Sequence, residues 1–328
     1  MGLTICGRMI LVLTFVGIAC TSTMRAKAQT SSWPQRVVRI IVPFGPGSAT
    51  DINARLIAER VAGRWGKSVV VDNRPGGDGI VAIEAFTSAN DGHTLLFASA
   101  GTFTVHPDEQ EKLPYNARRD LLPIASVSAD VLAVSVPDAL EAGSLAELAV
   151  LARHRPGQLN AAAAQGLTDF LLSGFLAKSG VHMPRIPYRD ILQAPGDLAE
   201  GRIHVLMTPL ALVVPLMSTG RIKVLAVNSH SRAAVAPDVP TAVESGYPAM
   251  TLEELNGLFG PRDMARDLRE RIAADVIAVA ADPVISVRLG LIGQIIKLGG
   301  PAAFSARIEQ QRAILAAMER SFGLSQVP

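Results

Sequence analysis

The residues best placed to do chemistry lie in one loop, Phe44 to Asp51, which reads FGPGSATD. The loop follows an apolar, β-branched segment, RVVRIIVP, and leads into a segment whose apolar residues have helical spacing. The first amide N–H groups of a helix have no backbone partner, and the helix dipole favours negative charge there. This segment therefore predicts a site for a phosphate or a carboxylate.

Two other interpretations of the loop stay open from these residues alone. Ser48 and Asp51 have the spacing of a capping box, in which both side chains stabilise the helix start without contacting a ligand. The run GPGSAT, with Asp72 about 20 residues further on, also approximates a dinucleotide-binding fingerprint. Thr50 stands where that fingerprint needs its third glycine, which counts against a nucleotide-dependent oxidoreductase.

Motifs for catalysis or metal binding are not found. The sequence has no G-x-S-x-G and no H-E-x-x-H, and its six histidines are scattered without the spacing of metal ligands. We therefore expect a protein that is not an enzyme and that has no metal and no cofactor.

The N-terminus has the pattern of a secretory signal peptide. A segment with one positive charge, Met1 to Arg8, precedes a mostly apolar run, Met9 to Ala19, which falls short of the roughly 20 residues that span a bilayer. We expect cleavage after Ala28, so that residues 1–28 are removed and the mature protein is periplasmic. Cys20 lies in a degenerate lipoprotein box, and lipid anchoring there is the alternative.

Cleavage would change both the cysteine content and the charge. Both cysteines, Cys6 and Cys20, lie in the leader, as do three of the 31 basic residues and none of the 29 acidic ones. The mature chain would then have no thiol for a disulfide, a nucleophile or a zinc site. It would also have no basic stripe of the kind that indicates nucleic-acid binding.

The mature chain alternates strands and helices. RVVRIIVPF, SVVVD and TLLFAS read as strands with helical segments between them, which is typical of a parallel sheet covered by helices. A second unit begins near Leu132 with VLAVSVP and repeats the alternation, and helical periodicity returns in residues 268–280 and 302–322. The predicted fold class is α/β, in two units.

Ordered segments along the chain carry a resemblance. WPQRVVRIIVPFGPGSATDINARLIAERV, VVVDNRPGGDGIVAIEAF, DGHTLLFASAGTFTVHP, IPYRD and GLFGP together resemble the Bordetella uptake gene (Bug) family, the receptors of tripartite tricarboxylate transporters. The resemblance implies a type II-like periplasmic binding protein of the Venus-flytrap kind, with two α/β lobes joined by two crossing strands. Residues 29–129 and 229–328 would form one lobe, with residues 130–228 inserted as the other.

The resemblance also implies a set of ligand-binding residues on both sides of the cleft. They are Phe44, Gly45, Gly47, Ser48, Ala49 and Asp51 in the first loop, Gln165, Gly166, Thr168 and Asp169 opposite, and Thr102 and Tyr188 at further cleft positions. Gly45 and Ser48 depart from the family's usual Pro-Pro-Gly-Gly. Two alternatives stay open: Asp169 as a first-turn carboxylate of its helix, and Tyr188 as a core aromatic residue.

The expected function follows from the resemblance. The protein would be a monomeric receptor that captures a small organic anion, which is a di- or tricarboxylate, an acidic amino acid or an aromatic acid. It would deliver this ligand to the membrane permease of a tripartite tricarboxylate transporter. A receptor that reports the carboxylate to a membrane sensor would use the same domain closure and is the alternative.

Overall fold

The computed structural model describes residues 33–104, 113–164, 166–188 and 190–322. The predicted signal peptide and Gln165 lie outside these ranges. Within them, no helix combines the length and the apolar character needed to cross a membrane.

One sheet is built around the loop singled out above. Its strands β1 (Val38–Val42), β2 (Val69–Asn73) and β3 (Thr94–Ser99) are parallel, with β1 between the other two. Helix α1 (Ala49–Trp65) connects β1 to β2, and α2 (Ile80–Ala89) connects β2 to β3. This is the strand–helix alternation that the sequence predicts, and it places the start of α1 at the carboxyl end of β1.

Three antiparallel strands complete this sheet, which is mixed and not purely parallel. They are β4 (Leu121–Asp130), β9 (Glu254–Pro261) and β10 (Gln294–Gly299), and the full order is β10-β4-β9-β3-β1-β2. Strand β9 pairs with both β3 and β4. A Cβ at Gly257 would lie 2.5 Å from the Ala125 carbonyl oxygen, so close strand packing requires glycine there.

A second sheet has four strands in the order β6-β7-β5-β8. They are β5 (Leu132–Pro137), β6 (Ala161–Ala163), β7 (Val205–Pro209) and β8 (Ile222–Val227). Strand β5 is antiparallel to β7 and β8, and β6 is parallel to β7.

The other helices have the following bounds: α3 (Gly101–Thr104), α4 (Ala117–Asp120), α5 (Leu145–His154), α6 (Leu167–Ser179), α7 (Ala194–Ala199), α8 (Val214–Met217), α9 (Arg266–Ala280), α10 (Pro283–Leu291) and α11 (Pro301–Phe322).

Each sheet has its own hydrophobic core. The first contains Phe86 and Phe304, and the second contains Phe175, all at most 2% exposed. Burial of one such side chain contributes about 1.5–3 kcal/mol to stability. Leu315 of α11 packs in the core of the four-stranded sheet, so the C-terminal helix contacts both units.

The chain passes between the two sheets through two connections, one short and one long. Val131 alone separates β4 from β5, and residues 228–253 lead from β8 to β9. The buried Asn228 ties the connections together: its Oδ1 accepts from the Leu132 amide at 2.7 Å, and its Nδ2 donates to the Leu252 carbonyl at 2.6 Å. These are the two crossing segments that the fold class requires, whereas the lobe boundaries stay a prediction.

Candidate functional site

The start of α1 forms a capping box. Ser48 is the N-cap residue, and its Oγ accepts from the Asp51 amide at 3.2 Å. The Asp51 carboxylate accepts in return from the Gly47 amide at 2.9 Å. The first interaction satisfies an N–H group that a helix start leaves without a partner, and the second fixes the loop that precedes the helix.

Asp51 is occupied by protein partners. Its side chain also accepts from Arg55 Nε at 3.0 Å and from Asn73 Nδ2 at 2.8 Å. Burial would raise the pKa of Asp51, but the hydrogen bonds from Arg55, Gly47 and Asn73 outweigh it and lower the pKa. These contacts support the capping interpretation, because the carboxylate holds the loop and does not face the cavity.

A cavity of about 60 Å³ lies where this loop faces the second sheet. The loop and the adjacent strand ends contribute Phe44, Gly45, Ser48, Ala49, Thr50, Ser99, Asp130 and Glu254. The opposite side contributes Leu132, Ala164, Thr168, Asp190, Ile191, Leu192, Pro209 and Leu212. The two sides come close at Gly45, where a Cβ would lie 3.4 Å from Leu192 Cδ1.

The start of α6 supplies part of the opposite wall. Gly166 precedes the helix with φ of 80°, a conformation that favours glycine, and the Thr168 hydroxyl donates to the Ala164 carbonyl. Asp169 is engaged elsewhere, because its carboxylate pairs with Arg185. Burial lowers the pKa of Arg185 to about 10. Asp169 is thus a paired first-turn carboxylate.

Tyr188 behaves as a core aromatic residue. Its ring packs against the cluster that contains Leu198 and Ile203, and its hydroxyl donates to Asp197 Oδ2 at 2.6 Å. Burial, followed by the bond to Asp197, raises the pKa of Tyr188 to about 12. The hydroxyl therefore has its own partner away from the cavity.

The structure brings five of the predicted site residues together. Those that line the cavity are Phe44, Gly45, Ser48, Ala49 and Thr168, whereas Gly47, Asp51, Gly166, Asp169 and Tyr188 do not line it. Thr102 lies in α3, but its side chain and Gln165 fall outside the described part of the chain. Asp72, the acid of the dinucleotide interpretation, pairs with Arg74 at 3.1 Å and is also absent from the lining.

Three acids in the lining, Asp130, Asp190 and Glu254, are absent from the predicted set, and two of them form a buried pair. Asp130 ends β4, Glu254 begins β9, and the two are register partners in the sheet. Each is 5% exposed. Burial, and then the charge of Asp130, raise the pKa of Glu254 to about 8, and burial raises the pKa of Asp130 to about 6. The pair therefore holds a proton at neutral pH.

Glu254 is positioned by the backbone after β3. The Gly101 amide donates to Glu254 Oε1 at 3.0 Å. A Cβ at position 101 would lie 2.4 Å from the same oxygen, so only glycine permits this approach. Gly101 after β3 thus serves to hold a carboxyl group.

Asp130 is positioned by a buried polar network that reaches α1. Gln294 Nε2 donates to Asp130 Oδ1 at 2.6 Å. Gln294 Oε1 accepts from Asn53 Nδ2 at 2.9 Å and from Ser128 Oγ at 3.1 Å. Because its oxygen has these donors, Gln294 must present its NH₂ group to Asp130. Asp130 follows a mostly apolar stretch of the sequence, and a carboxylate is rarely buried without a role. No comparable signal marks Glu254, because the sequence does not predict its strand.

Comparison with known proteins identifies one family to which this chain is similar. The family model described as "Tripartite tricarboxylate transporter family receptor" matches residues 53–287. A UPF0065 protein of Bordetella bronchiseptica is 32% identical over 281 residues, which cover 85% of this chain and 82% of that protein.

Solved structures show the same architecture. A protein of R. palustris determined with adipate has a TM-score of 0.82 at 28% identity, covering 89% of this chain and 98% of that one. The periplasmic binding protein BugD has a TM-score of 0.79 at 25% identity, covering 89% and 99%.

Proposed function

Because this chain belongs to the receptor family of tripartite tricarboxylate transporters, we propose that it is an extracytoplasmic solute-binding receptor for a small organic carboxylate. The two units close around the ligand, and a membrane permease of the tripartite type recognises the closed form and accepts the ligand. No covalent chemistry is involved.

One observation carries this proposal: two helix starts, those of α1 and α6, contribute to opposite walls of one cavity. Helix starts favour a carboxylate through amide N–H groups and the dipole, without a buried cation. The structure solved with adipate supports the carboxylate class, since it has the same architecture. Exclusion of water on closure strengthens each hydrogen bond to the ligand.

Closure around the ligand is part of the proposal. Two-lobed receptors close around their ligands by hinge motions, and closure that depends on ligand is what the transport role requires.

The experiment is a calorimetric titration of the purified protein with succinate, adipate, aspartate, benzoate and NAD. Binding of at least one carboxylate is expected, and at 100 times its Kd it should raise the free energy of unfolding by about 2.7 kcal/mol. Binding of NAD alone would contradict the proposal.

A matched pair of variants tests the site. Gly47 has φ of 87°, and a Cβ placed there would meet no other atom within 4 Å. Gly47→Val therefore strains the loop backbone without a steric clash and should abolish binding without unfolding the protein. Gly63→Val, in α1, also meets no neighbouring atom and should bind as the wild type does. Equal affinity of both variants would refute the assignment of the loop.

A further inference from the structure

The lining of the cavity is acidic. Among the described residues that line it, three are acids, Asp130, Asp190 and Glu254, and none is a lysine, an arginine or a histidine. A ligand with two carboxylates would bring two negative charges next to these acids, and no lining residue that the structure describes supplies a counter-ion. Like charges that approach in a poorly solvated site repel strongly. The lining therefore disfavours a dianion.

Asp130 and Glu254 act as one group. Register partners in an antiparallel pair project from the same face of a sheet, with Cβ atoms about 4.5–5.5 Å apart. Each carboxyl group is held by a neutral donor, Gln294 for Asp130 and the Gly101 amide for Glu254. A carboxylate offers about four acceptor sites, so both retain capacity to accept from a ligand.

The surroundings of the pair, among the described residues, contain no counter-ion. Strand β3 contributes Ser99 to the lining, α1 contributes Thr50, and β10 contributes Gln294 to the network, all of them uncharged. From the opposite side, Asp190 is the other titratable side chain in the described lining. A cation bound beside the pair could therefore interact with both carboxyl groups, without competition from a cationic side chain among the described residues.

We propose that Asp130 and Glu254 are specificity determinants that bind an ammonium group, so that the ligand is a small zwitterion. Its carboxylate lies at the loop of residues 44–50, and its ammonium group lies on the acid pair. This inference rests on the proposed function and narrows the ligand from carboxylates to aminocarboxylates.

The pair also gives binding a defined pH dependence. An ammonium group binds the ionised pair, so a pair that holds a proton at neutral pH releases it when the ligand binds. Affinity for a zwitterion then rises with pH, by roughly tenfold per unit where one proton is released. A dicarboxylate would favour the protonated pair and would show the opposite trend.

The experiment compares two pairs of probes by calorimetry on the purified full chain. The pairs are succinate with 3-aminopropanoate, and adipate with 5-aminopentanoate, in which an ammonium group replaces one carboxylate and the number of methylene groups is unchanged. The amino member of at least one pair should bind at least about tenfold more tightly, because it alone supplies the missing counter-charge. Its affinity should rise between pH 6 and 8, with proton release into the buffer.

Two variants test whether Glu254 causes the preference for the amino member and the proton release. Glu254→Gln should reduce the preference for the amino member at least about tenfold and remove most of the proton release, because the charge is lost while the shape is kept. Glu253→Gln changes the neighbouring acid, which pairs with Lys297 and does not line the cavity, and should change neither. Urea unfolding of both variants verifies that a loss of binding is not a loss of fold.

The outcomes separate this inference from the function on which it rests. Tighter binding of succinate or adipate than of their amino counterparts, or an unchanged preference in Glu254→Gln, overturns the inference and leaves a carboxylate receptor. Absence of binding by all four probes counts against the carboxylate receptor itself and overturns both.

Discussion

Replacement of Glu254 by glutamine should change how stability depends on pH. In the unfolded chain this carboxyl group ionises near its ordinary pKa of 4.5, whereas in the folded protein the pKa is raised to about 8. Between these values the folded state keeps a proton that the unfolded state has lost. The contribution of this group to stability is therefore greatest at low pH and falls as pH rises toward 8.

The magnitude follows from one proton. At pH 6 the native state binds about one proton more than the unfolded state and at pH 8 about half a proton more, so the free energy of unfolding falls by about 1.4 kcal/mol per pH unit at first and by about 2.3 kcal/mol over the window. The glutamine of the variant has no proton to lose. Its amide oxygen still accepts from Gly101, so the fold is expected to be retained.

Urea unfolding at pH 6, 7 and 8, followed by circular dichroism, measures this difference. The wild-type protein should lose stability across the series more steeply than Glu254→Gln, and Glu253→Gln should follow the wild type. Titratable groups that do not contact the acid pair contribute equally to all three proteins. Parallel pH profiles for the wild type and Glu254→Gln would refute the assignment of a buried, protonated carboxyl group.

Three further substitutions have defined outcomes. Gly101→Ala places a Cβ 2.4 Å from a Glu254 oxygen and should cost about 1–3 kcal/mol in urea unfolding, as overpacking does; an unchanged midpoint would mean that the carboxyl group moves freely. Asn228→Ala leaves a buried amide and a carbonyl without partners and should cost about 2–4 kcal/mol, which calorimetric unfolding would measure; a cost below about 1 kcal/mol would show that water replaces the side chain. Tyr188→Phe should leave the affinity for a bound carboxylate unchanged, because the hydroxyl bonds to a protein carboxylate away from the cavity; a tenfold loss in titration would place the tyrosine in the site.

Much of the fold could be predicted from local sequence patterns. The strand–loop–helix unit at Val38–Trp65 and the C-terminal helix, predicted at 302–322 and found at 301–322, depend on spacing that neighbouring residues carry. The family match confirms the resemblance to Bordetella uptake gene receptors. Strand β9 was not predicted, because Gly257 and Gly260 interrupt its pattern. Gly257 is required by the close approach of the Ala125 carbonyl oxygen and the Phe304 ring, both distant in sequence.

The candidate site, too, could be predicted only in part from the sequence. The loop before α1 was predicted because anion binding at a helix start is a local property. The pairing of Asp130 with Glu254 depends on the register of two strands more than a hundred residues apart, which no local pattern reveals. The role of Asp51 was ambiguous, because the spacing of Ser48 and Asp51 suits both helix capping and ligand binding. The contacts of Asp51 with Arg55 and Asn73 favour capping.

The hydrogen bonds of Asn228 determine where one half of the cleft could be exchanged for that of a relative. The segment from Leu132 to Asn228 begins and ends at one place, since the Asn228 amide donates to the Leu132 carbonyl at 2.9 Å. A segment with adjacent ends can be replaced by that of a relative without new linkers, provided that Leu315 of α11 is matched to the new core. Such chimaeras would combine the acid pair of one receptor with the opposite cavity wall of another. The place where Leu132 and Asn228 meet is therefore a suitable junction for redesign.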